Sequence, residues 1–256
     1  MIPVPRVEPA TGTLVLAPAT FDALAAFAAD PAAARGDHRL EPHLAAVENA
    51  GLLSGDSLDP GLGATLEPVV APVCRLALRH EAHHSRGWVS SVTASLLVPA
   101  DAELRRLVRL HPSFLPEALA KLAALGPRTR GATPSSLRIP EATFEHLVRT
   151  AALDSDAVER ARDATPGGGQ APPSVGRVRG SWSVEAEWLD SVGETRGRRV
   201  EVLDTEQTLW MLRRTGSEVE LSPTSPTAVW RALAGLLPSD GDLRAGPSRR
   251  PAAPHA

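Results

Sequence analysis

The chain has 256 residues, of which 43% are hydrophobic and 22% charged, a balance that fits a folded globular protein and excludes global disorder. The formal net charge of −3 provides no excess of positive charge for a nucleic acid or a membrane surface. The single cysteine, Cys74, excludes an intrachain disulfide, and no apolar run reaches the roughly 18 residues of a membrane span. Three prolines in residues 1–9 do not suit a signal peptide, so we expect a cytoplasmic protein without membrane insertion.

The first third of the chain has the pattern of one short strand followed by helices. Residues 14–16 form an apolar run that is typical of a strand. Thr20 is a candidate N-cap for a helix that carries Phe21 and Phe27 on one side and ends at Pro31. Further along we expect a helix at 42–50, a loop at 54–60 and a short helix at 62–70.

From Val73 onward the hydrophobic period changes from that of a helix to that of a strand. Residues 73–79 alternate in polarity, and the runs 87–92 and 95–98 continue the pattern, which predicts consecutive antiparallel strands. Leu104, Leu107 and Val108 have helical spacing, but the corresponding segment later in the chain alternates, so we predict a strand at 104–110. A helix capped by Ser113 should then extend to Leu125.

The second half of the chain repeats this order of elements. We expect a helix from Thr143, a flexible Gly/Pro linker at 165–174, and a helix that starts at the Ser225-Pro226 cap. Between linker and last helix, four strands are predicted at 182–188, 198–203, 209–213 and 218–221. The residues from 239 onward lack a core pattern, and we expect a disordered tail.

Short sequence echoes in the same order indicate that the chain is internally duplicated. The echoes are residues 19–24 with 142–147, Arg86-Gly87 with Arg196-Gly197, residues 110–112 with 221–223, and residues 118–122 with 232–236. We therefore predict an α+β, quasi-twofold domain in which each unit is roughly α-ββββ-α and antiparallel sheets are flanked by helices. The two sheets could join edge to edge or pack face to face. The predicted boundaries are an N-terminal extension at 1–12, units at 13–130 and 131–238, and a tail at 239–256.

One motif resembles a catalytic metal site. His80-Glu81-Ala82-His83-His84 satisfies the H-E-x-x-H zinc-protease pattern, in which a helix places both histidines on one face and the glutamate acts as general base. Here the preceding residues alternate as a strand and Gly87-Trp88 begins another, so we predict a hairpin loop instead. His80 and His84 are the only candidate metal ligands, and a zinc hydrolase using them with Glu81 stays the alternative from another functional class.

No other residue set predicts catalysis or a cofactor. Cys74 lies in a predicted strand, where a thiol usually acts as a small hydrophobe. The three glycines at 167–169 lack the lysine of a phosphate-binding loop. The tryptophans have core spacing. We therefore predict a protein that is not an enzyme, with no catalytic residue, no cofactor and no assigned metal site.

Several features resemble the EspG family, the cytosolic chaperones of actinobacterial type VII (ESX) secretion. They are the order of elements, the quasi-repeat, Leu125-Gly126-Pro127-Arg128 after the first closing helix, and the terminal strand-Pro-helix Val219–Leu237. The resemblance covers roughly residues 12–238. Lys121 is the only lysine in a chain rich in Arg, Ala, Pro and Gly, a bias typical of GC-rich actinobacterial genomes.

The resemblance implies a quasi-twofold α+β fold and a binding function without catalysis. Family members bind a helical secretion substrate, so the expected partner is PE–PPE-like or WXG100-like, with no nucleic acid involved. The first hairpin is where such a protein would present its client-binding surface, which makes His83, Arg86 and Trp88 the candidate partner-binding residues. A standalone regulatory or immunity-type binding module is the alternative among binding proteins.

Overall fold

In a computed structural model, which describes residues 2–8, 11–80, 83–127, 135–151 and 178–244, the chain is built on one large antiparallel sheet. The strands are β1 Arg6–Glu8, β2 Thr13–Leu16, β3 Leu53–Ser54, β4 Ser57–Leu58, β5 Cys74–His80, β6 His83–Val89, β7 Ala94–Pro99, β8 Arg105–Leu110, β9 Leu137–Pro140, β10 Val178–Leu189, β11 Thr195–Thr205, β12 Leu209–Thr215 and β13 Glu218–Thr224. The helices are α1 Pro18–Ala29, α2 Pro31–Gly36, α3 Glu41–Asn49, α4 Pro60–Val70, α5 Leu115–Leu122, α6 Glu141–Ala151, α7 Pro226–Ala234 and α8 Asp240–Arg244, and a 3₁₀ turn at Pro112–Phe114 precedes α5.

The strand order confirms the predicted fold class and decides how the two units join. Among the described residues, eleven strands form the sheet in the order β1-β2-β8-β7-β6-β5-β10-β11-β12-β13-β9. The units join edge to edge, because β5 pairs antiparallel with β10 from Cys74 opposite Trp188 to His80 opposite Trp182. On either side of this seam the strands follow in corresponding order. We call β2 and β5–β8 the first half, and β9–β13 the second half.

Two of the four sequence echoes occupy equivalent places and two do not. Phe21 and Phe144 are both buried in the helix that follows the outermost strand of their half. Leu119 and Leu233 are both 1% exposed in the same core cluster, on the closing helices. Gly87 lies on the face of the sheet that contacts α5, whereas Gly197 pairs with Glu187 on the other face. Leu110 and Leu221 also lie on opposite faces. A duplication of the sequence therefore stays a prediction.

The sheet buries its two faces differently. Its inner face packs against α5 and α7, which contribute Leu119 and Leu233 to a core with Leu76 and Val184 from the central strands. The outer face of the first half packs against α1, α3 and α4. The outer face of the second half packs against α6 through Phe144. Each half thus has its own outer core, and the two halves share the inner one.

Helix ends follow sequence signals, with two corrections. Ser113, predicted to cap the helix that leads to Leu125, lies inside the 3₁₀ turn Pro112–Phe114, whose cap is His111, and α5 begins only at Leu115. Ser225 caps α7 by accepting a hydrogen bond from the backbone N–H of Ala228 at 3.2 Å, as predicted. Thr20, predicted as the cap of α1, lies inside that helix, which begins at Pro18. Thr20 is fully buried, and its hydroxyl bonds the His43 ring at 3.1 Å, so its side chain joins two helices rather than capping one.

Several short elements have no strong signal in the sequence. β1 lies within the predicted N-terminal extension, where it adds an edge strand to β2. The small hairpin β3–β4 replaces the predicted loop at 54–60, and α8 lies within the predicted tail. The ambiguous segment at 104–110 is the strand β8, as predicted. The predicted linker at 165–174 and the tail beyond residue 244 lie outside the described residues.

Candidate partner-binding face

The outer face of the four central strands is exposed. The outer helices cover the flanks of the sheet, while the side chains of β5, β6, β10 and β11 that point outward between them are exposed or half-buried. The residues that define this central outer face are Arg75, Ala77, Arg79, His84, Arg86, Ser183, Glu185, Glu187, Gly197 and Arg199. The opposite side of the same strands packs in the shared core. The central outer face is therefore formed by well-packed strands and not by loops.

Charge on the central outer face is divided along the seam. The first-half strands contribute Arg75, Arg79 and Arg86, whereas Glu185 and Glu187 on β10 contribute negative charge. Such a division favours partners that carry the complementary pattern and aligns them in one orientation. On β11 the charges largely neutralise each other, since Arg199 pairs with Glu201 at 3.1 Å.

Exposed apolar side chains gather at one end of the central strands. Val73 precedes β5, and Leu189 ends β10, beside it in the register of the two strands. Leu189 is 61% exposed. Val92 and Val192 are exposed in the turns β6–β7 and β10–β11, which lie at the same end of the sheet. We call Val73, Val92, Leu189 and Val192 the apolar end; large exposed hydrophobes in such a group are typical of interaction surfaces.

Arg86 is held in place on this face by aromatic rings and an ion pair. Its guanidinium carbon lies 5.4 Å from the ring centre of Phe21 and 5.5 Å from that of Trp88. The two rings contact each other with centroids 5.3 Å apart. A long ion pair of 3.5 Å joins the guanidinium to Asp22 on α1. Cation–π contacts restrict the arginine while leaving it half-exposed, so ordering its side chain in a contact would cost little conformational entropy.

The three residues predicted to bind a partner therefore lie in different surroundings. Arg86 is on the central outer face, and Trp88 is 9% exposed beneath it, within the outer core of the first half. His83 is exposed near the hairpin turn, on the inner side of the sheet. The sequence pattern did not single out Arg75, Arg79, Glu185 and Glu187, because outward positions of a strand have the same polarity whether or not they belong to a binding face.

The H-E-x-x-H segment does not have the helical geometry that its zinc chemistry needs. His80 ends β5 and His83 and His84 begin β6, with His80 opposite His83 and Arg79 opposite His84. His80 and His84 therefore point to opposite faces of the sheet. Among the described residues, no group of three or more His, Cys, Asp or Glu side chains is placed to hold a metal ion. Burial raises the pKa of the Cys74 thiol to about 11, which keeps it protonated near neutral pH.

Comparison with known proteins identifies the fold. No protein-family model matches the chain, and no curated protein matches it in sequence. Within the described residues, no helix is both long and apolar enough to cross a membrane. The structure is similar to that of the type VII secretion system chaperone EspG5 of Mycobacterium tuberculosis, determined in complex with a PE25–PPE41 dimer. The TM-score is 0.54 at 12% sequence identity, covering 92% of this chain and 98% of that one, so the likeness shows an EspG-like fold.

Proposed function

We propose that this protein is a non-enzymatic cytoplasmic chaperone or adaptor that binds a helical substrate of type VII secretion. The observation that carries the proposal is the correspondence of nearly the whole of both chains with a chaperone of that system. The described residues form the EspG-like sheet and its helices and include no further domain. This favours the function of a chaperone, which is to bind a client protein and keep it soluble.

The central outer face is our candidate for the client site. A helical client held before export exposes apolar surface, which the apolar end could cover. The charged part of the face would then set the direction in which the client lies, with acidic client residues over Arg75 and Arg79 and basic ones over Glu187. Of the predicted contact residues, Arg86 would contact the client directly, Trp88 would support it from below, and His83 would act at the hairpin end.

The direct test is an affinity purification from the native cytosol followed by mass spectrometry of the bound proteins. Recovery of a small helical type VII substrate in near-equal amount is the expected result. If the chain instead brings down no such substrate from cells that are actively exporting one, the proposed function is wrong.

Matched variants then test the face once the client is identified. Arg75→Glu should weaken client binding by about tenfold, as expected for a charge at the centre of an interface. Arg231→Glu makes the same charge change on α7, on the far side of the sheet, and should leave binding unchanged. In the same way Leu189→Ser should weaken binding, whereas Val4→Ser, before the edge strand β1 and at the opposite end of the sheet, should not, although Val4 is 60% exposed and Leu189 61%. If a variant and its control weakened client binding equally, the client would not bind at the central outer face.

A further inference from the structure

The end of the β5–β6 hairpin brings together two histidines that the sequence motif does not pair. His80 is the last residue of β5 and His83 the first of β6, and they lie directly opposite each other in the register. Both follow the alternation of the inner-face residues Leu78 and Ser85, so both imidazoles are on the same side of the hairpin. His84 faces the other way, opposite Arg79.

This arrangement suits a shared metal ion. Directly opposed residues of antiparallel strands have Cβ atoms about 5 Å apart. Metal–nitrogen bonds of about 2 Å then allow both rings to reach one ion from adjacent positions around it. Two imidazoles with solvent completing the coordination suit Cu²⁺ or Ni²⁺, and the general order of affinities places Cu²⁺ first. A structural zinc site would need more protein ligands than this pair provides.

Both rings are available for this role. His83 is exposed and His80 half-buried, and within the described part of the chain neither ring makes a hydrogen bond or an ion pair. A bound divalent metal would join the two strands at the end of the hairpin through both imidazole rings.

We propose that His80 and His83 form a surface site for a Cu²⁺-class transition metal at the end of the β5–β6 hairpin. The site is distinct from the zinc-protease pattern, which would use His80 with His84. Its test needs no client, so its failure would leave the chaperone proposal standing, although His83 is also one of the predicted client contacts.

A neighbouring tryptophan offers a local readout. Trp182 lies opposite His80 on β10, on the same face, and is 3% exposed. Bound Cu²⁺ quenches tryptophan fluorescence at short range, so binding at the pair should quench Trp182 in particular. Titration of the untagged protein with Cu²⁺, followed by fluorescence and by electron paramagnetic resonance, should give one high-affinity ion with nitrogen ligands per chain.

Variants of His83, His84 and Trp182 make the test selective. His83→Ala should weaken Cu²⁺ binding roughly tenfold or more, because one of two imidazole ligands is lost. His84→Ala, an adjacent histidine on the other face, should leave binding unchanged. Trp182→Phe should remove most of the quenching without changing the resonance spectrum. A His83→Gln variant with native circular dichroism repeats the test if the alanine variant misfolds.

The opposite outcomes overturn the proposal. Unchanged Cu²⁺ affinity in both His83 variants would show that the ion binds elsewhere. An equal loss in His84→Ala would show that the segment binds as a disordered histidine cluster and not as a cross-strand pair. Quenching that persists in Trp182→Phe would place the ion near another tryptophan.

Discussion

The two halves of the sheet have corresponding strand orders, yet the described residues cover their outer faces to different extents. In the first half three helices pack on the outer face and bury a large apolar cluster that includes Phe21, Phe27 and Trp88. In the second half the described cover is α6 alone, and the cluster around Phe144 and Trp210 is smaller. Both halves contribute to the inner core, whereas each outer cluster draws on the residues of one half.

The largest expected effect comes from removing the equivalent phenylalanines. Phe21→Ala should lower the free energy of unfolding by about 4–5 kcal/mol, and Phe144→Ala by about 3 kcal/mol, because the cavity at Phe21 also removes support from Trp88. Urea denaturation of the two variants measures both values. A larger loss for Phe144→Ala would mean that the second half has the more important outer core.

The glycines of the repeated Arg-Gly pair, Gly87 and Gly197, give a second contrast, with a smaller expected effect on stability. A Cβ at Gly87 would lie 2.7 Å from Leu96 Cδ2 and 3.1 Å from Leu76 Cβ, inside the shared core. Gly87→Ala should therefore cost about 1–3 kcal/mol through overpacking. A Cβ at Gly197 would meet the Ala186 carbonyl oxygen at 3.1 Å on an exposed face, and we expect a cost below about 1 kcal/mol. Equal costs in urea denaturation would show that the two positions are equivalent after all.

Arg198 attaches the segment after α7 to the inner side of the second half, and replacing Arg198 tests that attachment. Its guanidinium donates to the carbonyl oxygens of Gly235 and Leu237 at 3.0 and 2.8 Å, pairs with Asp242 at 2.8 Å, and lies over Trp188. Arg198→Met keeps the apolar stem but should speed amide hydrogen exchange across residues 236–244. Arg199→Met, whose side chain is on the other face, is the control and should leave exchange in that segment unchanged.

The smallest expected effect concerns pH and the β10–β11 turn. The side chain of Asp190 is 2% exposed; burial opposes ionisation, but hydrogen bonds from the backbone N–H groups of Glu194 and Val192 and from Arg196 outweigh it and lower the pKa of the carboxyl. Because the pKa is lower in the folded protein, the stabilisation is complete above the unfolded value of about 3.9 and is lost as pH falls through the folded value.

Asp190→Asn should therefore melt at a lower temperature than the wild type at neutral pH, with the difference shrinking as the solution is acidified. Thermal melts between neutral and strongly acidic pH measure this, and Glu194→Gln, in the same turn but exposed, is the control. A difference that stays constant across the acidic range would mean that the charge of Asp190 does not stabilise the turn.

Much of the fold could be predicted from sequence, because apolar and polar residues alternate clearly along a strand that has one buried face. β5 and β10 are clear for that reason, and β8 was assigned correctly by analogy with β13. Weak elements were missed where few side chains are buried, as in β1 and α8. The candidate face was less predictable, because the edge pairing of β5 with β10 depends on contacts between residues more than one hundred positions apart.

The seam between β5 and β10 also has a consequence for synthesis of the chain. At about 5–20 residues per second, the roughly 100 residues between the two strands take several seconds to emerge from the ribosome. During that interval β5 is the unprotected edge of a half-built sheet, a surface that invites pairing with other chains. Arg75 and Arg79 alternate along this strand, and charges on an edge discourage such pairing. The same arginines that we propose as part of the client site would then discourage aggregation of the nascent chain.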